Sequence, residues 1–386
     1  MRIGMFADSF LPIYDGVGRV MKAYADNLSG RGHEVYVITA LNDTGYRGTL
    51  GYEILDFKSF RVSKSLPYRS GFPRKDKHLM QRLDMIDFDI LHIHDPAMAS
   101  RLALRIAKER HIPCVGSFHT KFYDEIRSAT GSKLVARAVT RNIAKLYSKC
   151  SEVWAVASGT KQTLIDYGCS KDLRIRIMPN GTDIRTLDEN MVPDVISKYG
   201  IRRDVPVFMF VGRINWNKNI RMVVDALEIY KSKGHEFQFV FVGAGPDFED
   251  CSLYVKSKGL DCDVKMIGFV DDCRILDCLY SVATLMVFPS IFDNSPLAVR
   301  EAAAMRLPSL VVAGSCSSEG IDDMRNGVLV DNSPESIAAG MERFAFLSDS
   351  RRHEICDCAF QTIPKSWSDI AGEVESIYAE LIGARC

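Results

Sequence analysis

The stretch from Leu285 to Pro308 restricts the fold more than any other. It opens with four apolar residues in a row, Leu285-Met286-Val287-Phe288, stops at Pro289, crosses a loop and enters an alanine-rich segment. An apolar run without alternation is a strand covered on both faces, the situation of a parallel sheet with helices on either side. Asn294-Ser295-Pro296 then reads as a helix entry, with Ser295 as the cap and Pro296 at the first helical position. Unpaired amides and the macrodipole at such a start attract anions, and a phosphate fits. Two acids bracket this start, Asp293 and Glu301, with seven residues between them. Glu301 falls roughly 9 Å along the axis from Ser295. A carboxylate accepts two hydrogen bonds, so its natural partner is a pair of neighbouring hydroxyls on a sugar or a ribose.

The chain has 386 residues, enough for two α/β domains. No run approaches the ~18 apolar residues of a membrane span, and Met1 to Ala7 does not have the form of a signal peptide, so a cytoplasmic location is expected. Eleven cysteines are scattered without a C-x2-C pair. Reduced structural thiols are expected rather than disulfides or zinc. The net charge of zero conceals a split. Residues 1–187 carry 29 basic and 19 acidic side chains, net +10, and residues 188–386 carry 20 and 30, net −10. That asymmetry implies two bodies with different partners, the first facing something anionic.

In the first half, Arg2 to Ala7 and Glu34 to Ala40 read as strands flanking a helix from Val17 to Leu28. The loop before that helix contains Gly16-x-Gly18, but Met21 stands where a dinucleotide fingerprint needs its third glycine, which argues against a nicotinamide cofactor. Asp89 to Ile93 is a strand ending in His92-Ile93-His94-Asp95; both histidines share a face, yet no third ligand lies nearby for a metal. Pro113 to Phe118 ends at His119, and the ends of parallel strands are where open α/β sheets place ligands. Glu152 to Ala157 is a further strand, with Ser158 as cap of the next helix.

Two basic features stand out. Lys58, Arg61, Lys64, Arg69, Arg74, Lys75 and Lys77 are interleaved with Phe57, Phe60, Tyr68 and Phe72; Lys133, Arg137, Arg141, Lys145 and Lys149 recur at every fourth residue. Both suit an anionic membrane surface, and both also fit a solvated loop and a solvated helix face. No nucleic-acid-binding motif accompanies them.

In the second half, residues 188–204 are polar and read as a linker. Val205 to Val211 is a strand running into Gly212-Arg213 and Lys218-Asn219. An arginine fork and a lysine point charge at one strand end suit a diphosphate. Phe237 to Val242 and Val264 to Val270 are further strands, and Phe269 reads equally as core or as site. Trp367 to Leu381 is an amphipathic closing helix.

These motifs, in this order, resemble those of the retaining glycosyltransferases of family 4 with the GT-B fold, whose E-x7-E motif is matched here by Asp293-x7-Glu301, then Ala302-Ala303-Ala304 and Pro308. The first acid is Asp instead of the usual Glu. The resemblance implies two Rossmann-like domains facing a central cleft: residues 1–187, with the closing helix 366–386 returning to them, for the acceptor, and residues 188–365 for the nucleotide sugar. It implies that Gly16 lets the backbone approach the donor diphosphate, that His119 meets the donor sugar near the reacting centre, and that Pro179 to Asp183 forms the hinge side. Phe269 and Val270 would meet the nucleobase, and Asn294, Ser295, Pro296 and Leu297 the phosphates. Glu301 would hold the ribose and Asp293 the hexose. Arg213 and Lys218 would stabilise the leaving diphosphate without a metal or other cofactor. The expected reaction is hexose transfer from a nucleoside diphosphate sugar, a UDP-sugar foremost. The pattern is similar to bacterial glycolipid-forming members, so the acceptor is expected to be a glycerolipid such as diacylglycerol at the inner face of the plasma membrane. A soluble acceptor, a GT-B epimerase or phosphorylase, and a non-catalytic nucleotide-sugar binder stay open on these residues.

Overall fold

The computed structural model describes residues 1–12, 15–41, 49–62 and 68–384. The chain divides into two compact units, Met1–Asn180 together with the segment from Trp367 onward, and Gly181–Ser366. The divisions fall after Asn180 and Ser366, against 187 and 365 read from the sequence. Counted by unit, the charges are 29 basic and 22 acidic, net +7, and 20 and 27, net −7.

The first unit contains β1 (Arg2–Phe6), β2 (Glu34–Ala40), β3 (Glu53–Phe57), β4 (Ser59–Arg61), β5 (Arg69–Gly71), β6 (Ile90–Ile93), β7 (Cys114–Phe118), β8 (Glu152–Ala155) and β9 (Ile175–Ile177). Seven of these make a parallel sheet in the order β3-β2-β1-β6-β7-β8-β9, while β4 and β5 form a separate antiparallel pair. β6 is buried throughout, as its unalternating sequence requires. The chain fills one side of β1 first and then returns to fill the other. A topological switch point therefore lies between β1 and β6, and open α/β sheets bind ligands at the carboxyl end of such a point.

The closing helix, Trp367–Gly383, packs in this unit against the helix Gly16–Gly30. Trp367 meets Tyr24 edge to face at 5.9 Å, and Tyr378 stacks on Trp154 at 5.7 Å. Arg31 donates to the Ser368 carbonyl and to Glu375, anchoring the first turns of the helix.

The second unit contains β10 (Val207–Val211), β11 (Gln238–Val242), β12 (Val264–Gly268), β13 (Leu285–Val287), β14 (Ser309–Val312) and β15 (Val328–Val330), all parallel, in the order β12-β11-β10-β13-β14-β15. Its switch point lies between β10 and β13, which pair at Phe208 with Leu285 and Met209 with Met286. Phe210 and Phe288 stack with centroids 5.4 Å apart, so the loops leaving both strands start from a packed floor.

Several local expectations need correction. Residues 188–204 are no linker: Asp188 caps a short 3-10 turn, Glu189–Met191, which leads into the helix Val192–Tyr199, and Val195 is buried in the core. Pro193 in the first turn and Gly200 in the left-handed cap bound that helix; its polar face hides it from composition. Ser158 begins its helix instead of capping it, since Ala157 holds the extended cap position. β12 ends at Gly268, whose φ of 76° breaks the strand before Phe269 and Val270.

Candidate active site

The second unit's switch point is built from two loops that touch backbone to backbone. After β10, Gly212 and Ile214 donate to the carbonyls of Val242 and Ala244, at 3.0 Å each. A Cβ on Gly243 would lie 1.9 Å from the Gly212 oxygen, and one on Gly245 2.1 Å from the Ile214 oxygen. Two glycines are required there by crowding alone. Asp247 adds a bond from the Trp216 amide at 2.9 Å, and Asn215 accepts from the Asn217 amide, folding the turn Trp216–Lys218.

This turn delivers two cations in different states. Arg213 is exposed and makes no ion pair among the described residues. Lys218 donates to both carboxylate oxygens of Asp293, at 2.5 and 2.7 Å, with its ammonium 5.5 Å from the centre of the Phe288 ring. The loop after β13 is held in place on several sides. Asn219, in the left-handed conformation, donates to the Pro289 carbonyl at 2.9 Å; Ser290 Oγ accepts from the Phe292 and Asp293 amides; Ser317 Oγ donates to the Ser290 carbonyl. The helix that follows runs Leu297–Ala304 and has Pro296 at its cap position without a side-chain cap bond. Ser295 is thus one residue outside the cap it was expected to occupy, because Pro296 takes an extended ψ of 123°. Glu301, four residues into the helix, is buried and receives the Tyr280 hydroxyl at 3.4 Å. Phe269, at the end of β12, is 68 % exposed and so is not core.

The first unit's switch point has the opposite character. Asp8 after β1 and Asp95 after β6 cap the helix Met98–Arg110: the Ala99 amide donates to Asp8, the Ala97 amide to Asp95, and the Asp8 amide to Asp95 at 2.6 Å. Burial pushes both carboxyls above their usual range, Asp95 to about 7 with the Asp8 charge contributing. Beside them runs a column of imidazoles. His92 is held at both nitrogens, by the Tyr378 hydroxyl at 2.6 Å and by Ser117 Oγ at 2.8 Å. His94 lies 4.1 Å from it, and His119 lies parallel to His94 at 5.8 Å. Burial drives all three below the ordinary histidine value, His119 to about 4. With both nitrogens engaged by protein hydroxyls, His92 serves the packing of the closing helix. Gly16 begins its helix in the open, with nothing within 4 Å of where a Cβ would stand, and Asp15 caps that helix through the Gly18 amide.

Two Rossmann-like units, each with its candidate residues at a switch point, agree with what the chain is similar to. Residues 14–186 match the family described as Glycosyltransferase Family 4, and residues 192–356 that described as Glycosyl transferases group 1. The chain belongs to the family 4 glycosyltransferases. It is 27 % identical over 358 residues to an alpha-monoglucosyldiacylglycerol synthase of Acholeplasma laidlawii, covering 87 % of this chain and 86 % of the relative. It is 25 % identical over 399 residues to a GDP-mannose-dependent alpha-mannosyltransferase of Corynebacterium glutamicum, covering 99 % and 89 %. Anabaena HepE, solved in complex with UDP-glucose, shares the fold with a TM-score of 0.75 at 16 % identity, over 98 % of this chain and 100 % of that one.

Within this glycosyltransferase the second unit brings Arg213, Lys218, Asp293, Asn294, Ser295, Pro296, Leu297 and Glu301 to loops and a helix around the β10–β13 switch point, with Phe269 and Val270 at the end of β12 in the same sheet. The first unit places His119 and Gly16 after β7 and β1. Ser290 carries no mark in the sequence that singles it out, Asn219 is marked only as the neighbour of Lys218, and Gly243 and Gly245 only as a short glycine pair. The two glycines resemble an incomplete dinucleotide fingerprint there; their spacing matches instead the close approach of two neighbouring loops.

Proposed function

We propose that this glycosyltransferase moves a hexose, glucose foremost, from a UDP-sugar to the hydroxyl of a membrane glycerolipid such as diacylglycerol, with the anomeric configuration retained and without a metal. Cleavage of the donor builds negative charge on the diphosphate, and preorganised cations are the means to stabilise it. Arg213 and Lys218 take this role; Glu301 holds the ribose, Asp293 the hexose, and Phe269 offers an exposed ring to the base. His119, kept neutral by burial, acts as a hydrogen-bonding group toward the sugar.

The lipid acceptor is carried by one observation: exposed apolar side chains stand among exposed cations that form no ion pair among the described residues, near the carboxyl edge of the first unit's sheet. The β4–β5 hairpin is tied there by Ser70 Oγ donating to Asp8 at 2.5 Å, and it exposes Phe60, Val62 and Phe72 beside Arg61, Arg74 and Lys75. Lys64, in the same basic run, falls outside the described residues. On the other side of the switch point, the helix Phe122–Thr130 follows His119 closely and has no buried residue. The next helix, Lys133–Tyr147, exposes Leu134, Val135 and Val139 next to Lys133, Arg137 and Arg141. Apolar rings and cations together suit an anionic bilayer, where each cation near the surface contributes about 1 kcal/mol. No helix among the described residues is long and apolar enough to cross a membrane, which fits a peripheral enzyme on the inner face of the plasma membrane. The name of the Acholeplasma relative points to the same acceptor class.

The test is transfer of labelled glucose from UDP-glucose to diacylglycerol in mixed zwitterionic and anionic vesicles, with GDP-mannose as competing donor and chelator in a parallel reaction. Glucolipid formation that survives the chelator is expected. Transfer only to a soluble sugar, or from GDP-mannose alone, replaces the acceptor or the donor in this reading. Conversion of a nucleotide sugar without any acceptor makes the protein an epimerase.

A further inference from the structure

Lys218 and Asp293 were each expected to hold a different part of the donor, and instead they hold each other. The ammonium donates to both oxygens of one carboxylate, and the two side chains are 18 % and 21 % exposed. Neither has another side-chain hydrogen-bonding or ionic partner among the described residues. The carboxylate does not arrive by chance, because Ser290 Oγ fixes the Asp293 amide at 3.3 Å and Asn219 fixes the loop at Pro289. Arg213, in the loop that leads into the turn, has no such anion among the described residues. Of the two cations read as the diphosphate clamp, one therefore comes with its own counter-charge.

We propose that Asp293 is a resident anion on Lys218 which the donor diphosphate displaces, and that this exchange makes the site favour nucleotide sugar over nucleoside diphosphate. The inference rests on the reading of the Arg213 to Lys218 turn as the diphosphate site. A charge-assisted pair in partly dry surroundings is far stronger than one in water, so breaking it opposes any incoming anion. Once displaced, the carboxylate is left without a donor, which is costly at this degree of burial. Hexose hydroxyls supply donors and remove that cost; a nucleoside diphosphate has none to offer there. After transfer the hydroxyls leave with the acceptor, Asp293 returns to Lys218, and the nucleoside diphosphate is released.

The test is calorimetric titration of wild type, Asp293→Asn, Lys218→Met and the double variant with UDP, GDP, UDP-glucose and GDP-mannose. Asp293→Asn is expected to bind the nucleoside diphosphate about tenfold more tightly than wild type, and to lose most of the wild-type preference for the nucleotide sugar. In the Lys218→Met background the same substitution gives no gain, since the cation it released is gone. Unchanged or weaker diphosphate binding in Asp293→Asn, with wild type binding normally, overturns the exchange and leaves the donor site standing. A gain of equal size in the Lys218→Met background also overturns it, because relief of general repulsion then explains the effect. If wild type binds none of the four probes, the donor-site reading fails and the exchange fails with it. Asp293→Ala, tested beside Asp293→Asn, carries the same expected sign should the amide misfold the loop.

Discussion

The two units share one sheet architecture and furnish its switch point in opposite ways. The second lines the point with Arg213, Lys218, Asp293 and Glu301, on loops locked by glycine contacts that leave no room for a side chain. The first lines it with buried imidazoles and buried acid groups whose charged forms are disfavoured, and carries exposed cations among exposed apolar side chains. On the proposed reading, charge in the second unit serves chemistry on a diphosphate, and charge in the first serves a surface. The difference teaches that the +7 and −7 totals do not locate the cations proposed for the diphosphate, which sit in the acidic unit.

The sharpest way to break this comparison is to exchange the two kinds of cation. Arg213→Ala and Lys218→Ala should each lower turnover by 10²-fold or more, roughly what one missing donor to developing charge costs, while the fold survives. Arg137→Ala should leave turnover on a detergent-dispersed acceptor untouched. Steady-state kinetics on the three variants decides it, and comparable losses in all three would dissolve the distinction.

Next in size is the surface itself. Reversing Arg137, Arg141 and Lys145 to Glu should weaken binding to anionic vesicles by about 10²-fold at low salt, at about 1 kcal/mol for each cation lost. Nucleotide-sugar binding should not change. Wild-type binding should fall with added salt, since the attraction is screened over about 10 Å at 0.1 M. Cosedimentation with vesicles of graded anionic content measures both, and indifference of the wild type to lipid charge removes the membrane reading.

Glycines give a smaller and more local contrast. Gly245→Ala forces a Cβ against the Ile214 carbonyl and should cost about 1–3 kcal/mol of stability, the range of overpacked positions. Gly16→Ala meets nothing and should leave the melting temperature alone, so any effect must appear in KM for the donor. A lower melting temperature for Gly16→Ala would show that this glycine serves the fold and not a ligand.

Much of this contrast is legible in the residues. Unalternating runs such as Leu285 to Phe288 and Ile90 to Ile93 announce parallel strands, and their position at strand ends is enough to mark His119 and Arg213. What stays hidden depends on partners distant in sequence. Gly243 and Gly245 make sense only against Gly212 and Ile214, some thirty residues earlier, and the Lys218–Asp293 pair spans seventy-five. The helix Val192–Tyr199 escapes a reading by composition because its exposed side is polar while Val195 alone is fully buried. The β4–β5 hairpin escapes because three-residue strands carry too little periodicity to be seen.

The smallest expected effect on activity is the most informative about the first unit. With His119 titrating at about 4 and His92 and His94 held well below their ordinary value by burial, no imidazole of the column changes charge between pH 6.5 and 8. Turnover should therefore be insensitive to pH in that window as far as the column is concerned. Stability is another matter. Each of these groups has a folded pKa below the unfolded value of about 6.5, so the unfolded chain binds more protons as the pH drops, and the stability present above 6.5 is lost as the pH falls, for His119 through about 4. Asp8 and Asp95 oppose this. Their folded values are raised, so their contribution is greatest below the unfolded carboxyl value and is lost as the pH rises, for Asp95 through about 7. Wild type should thus show a shallow acid dependence in which histidines and carboxyls offset each other. Asp95→Asn removes one opposing group, keeps an oxygen for the Ala97 amide and the Ser100 hydroxyl at 3.0 and 3.2 Å, and gives up the bond from the Asp8 amide, a loss that lowers the whole curve without setting its slope. Its melting temperature should fall more steeply than that of wild type between pH 6.5 and 4.5. A parallel pair of melting curves would mean that the carboxyl at position 95 is ionised in the fold after all, and that the neutral character assigned to this switch point is wrong.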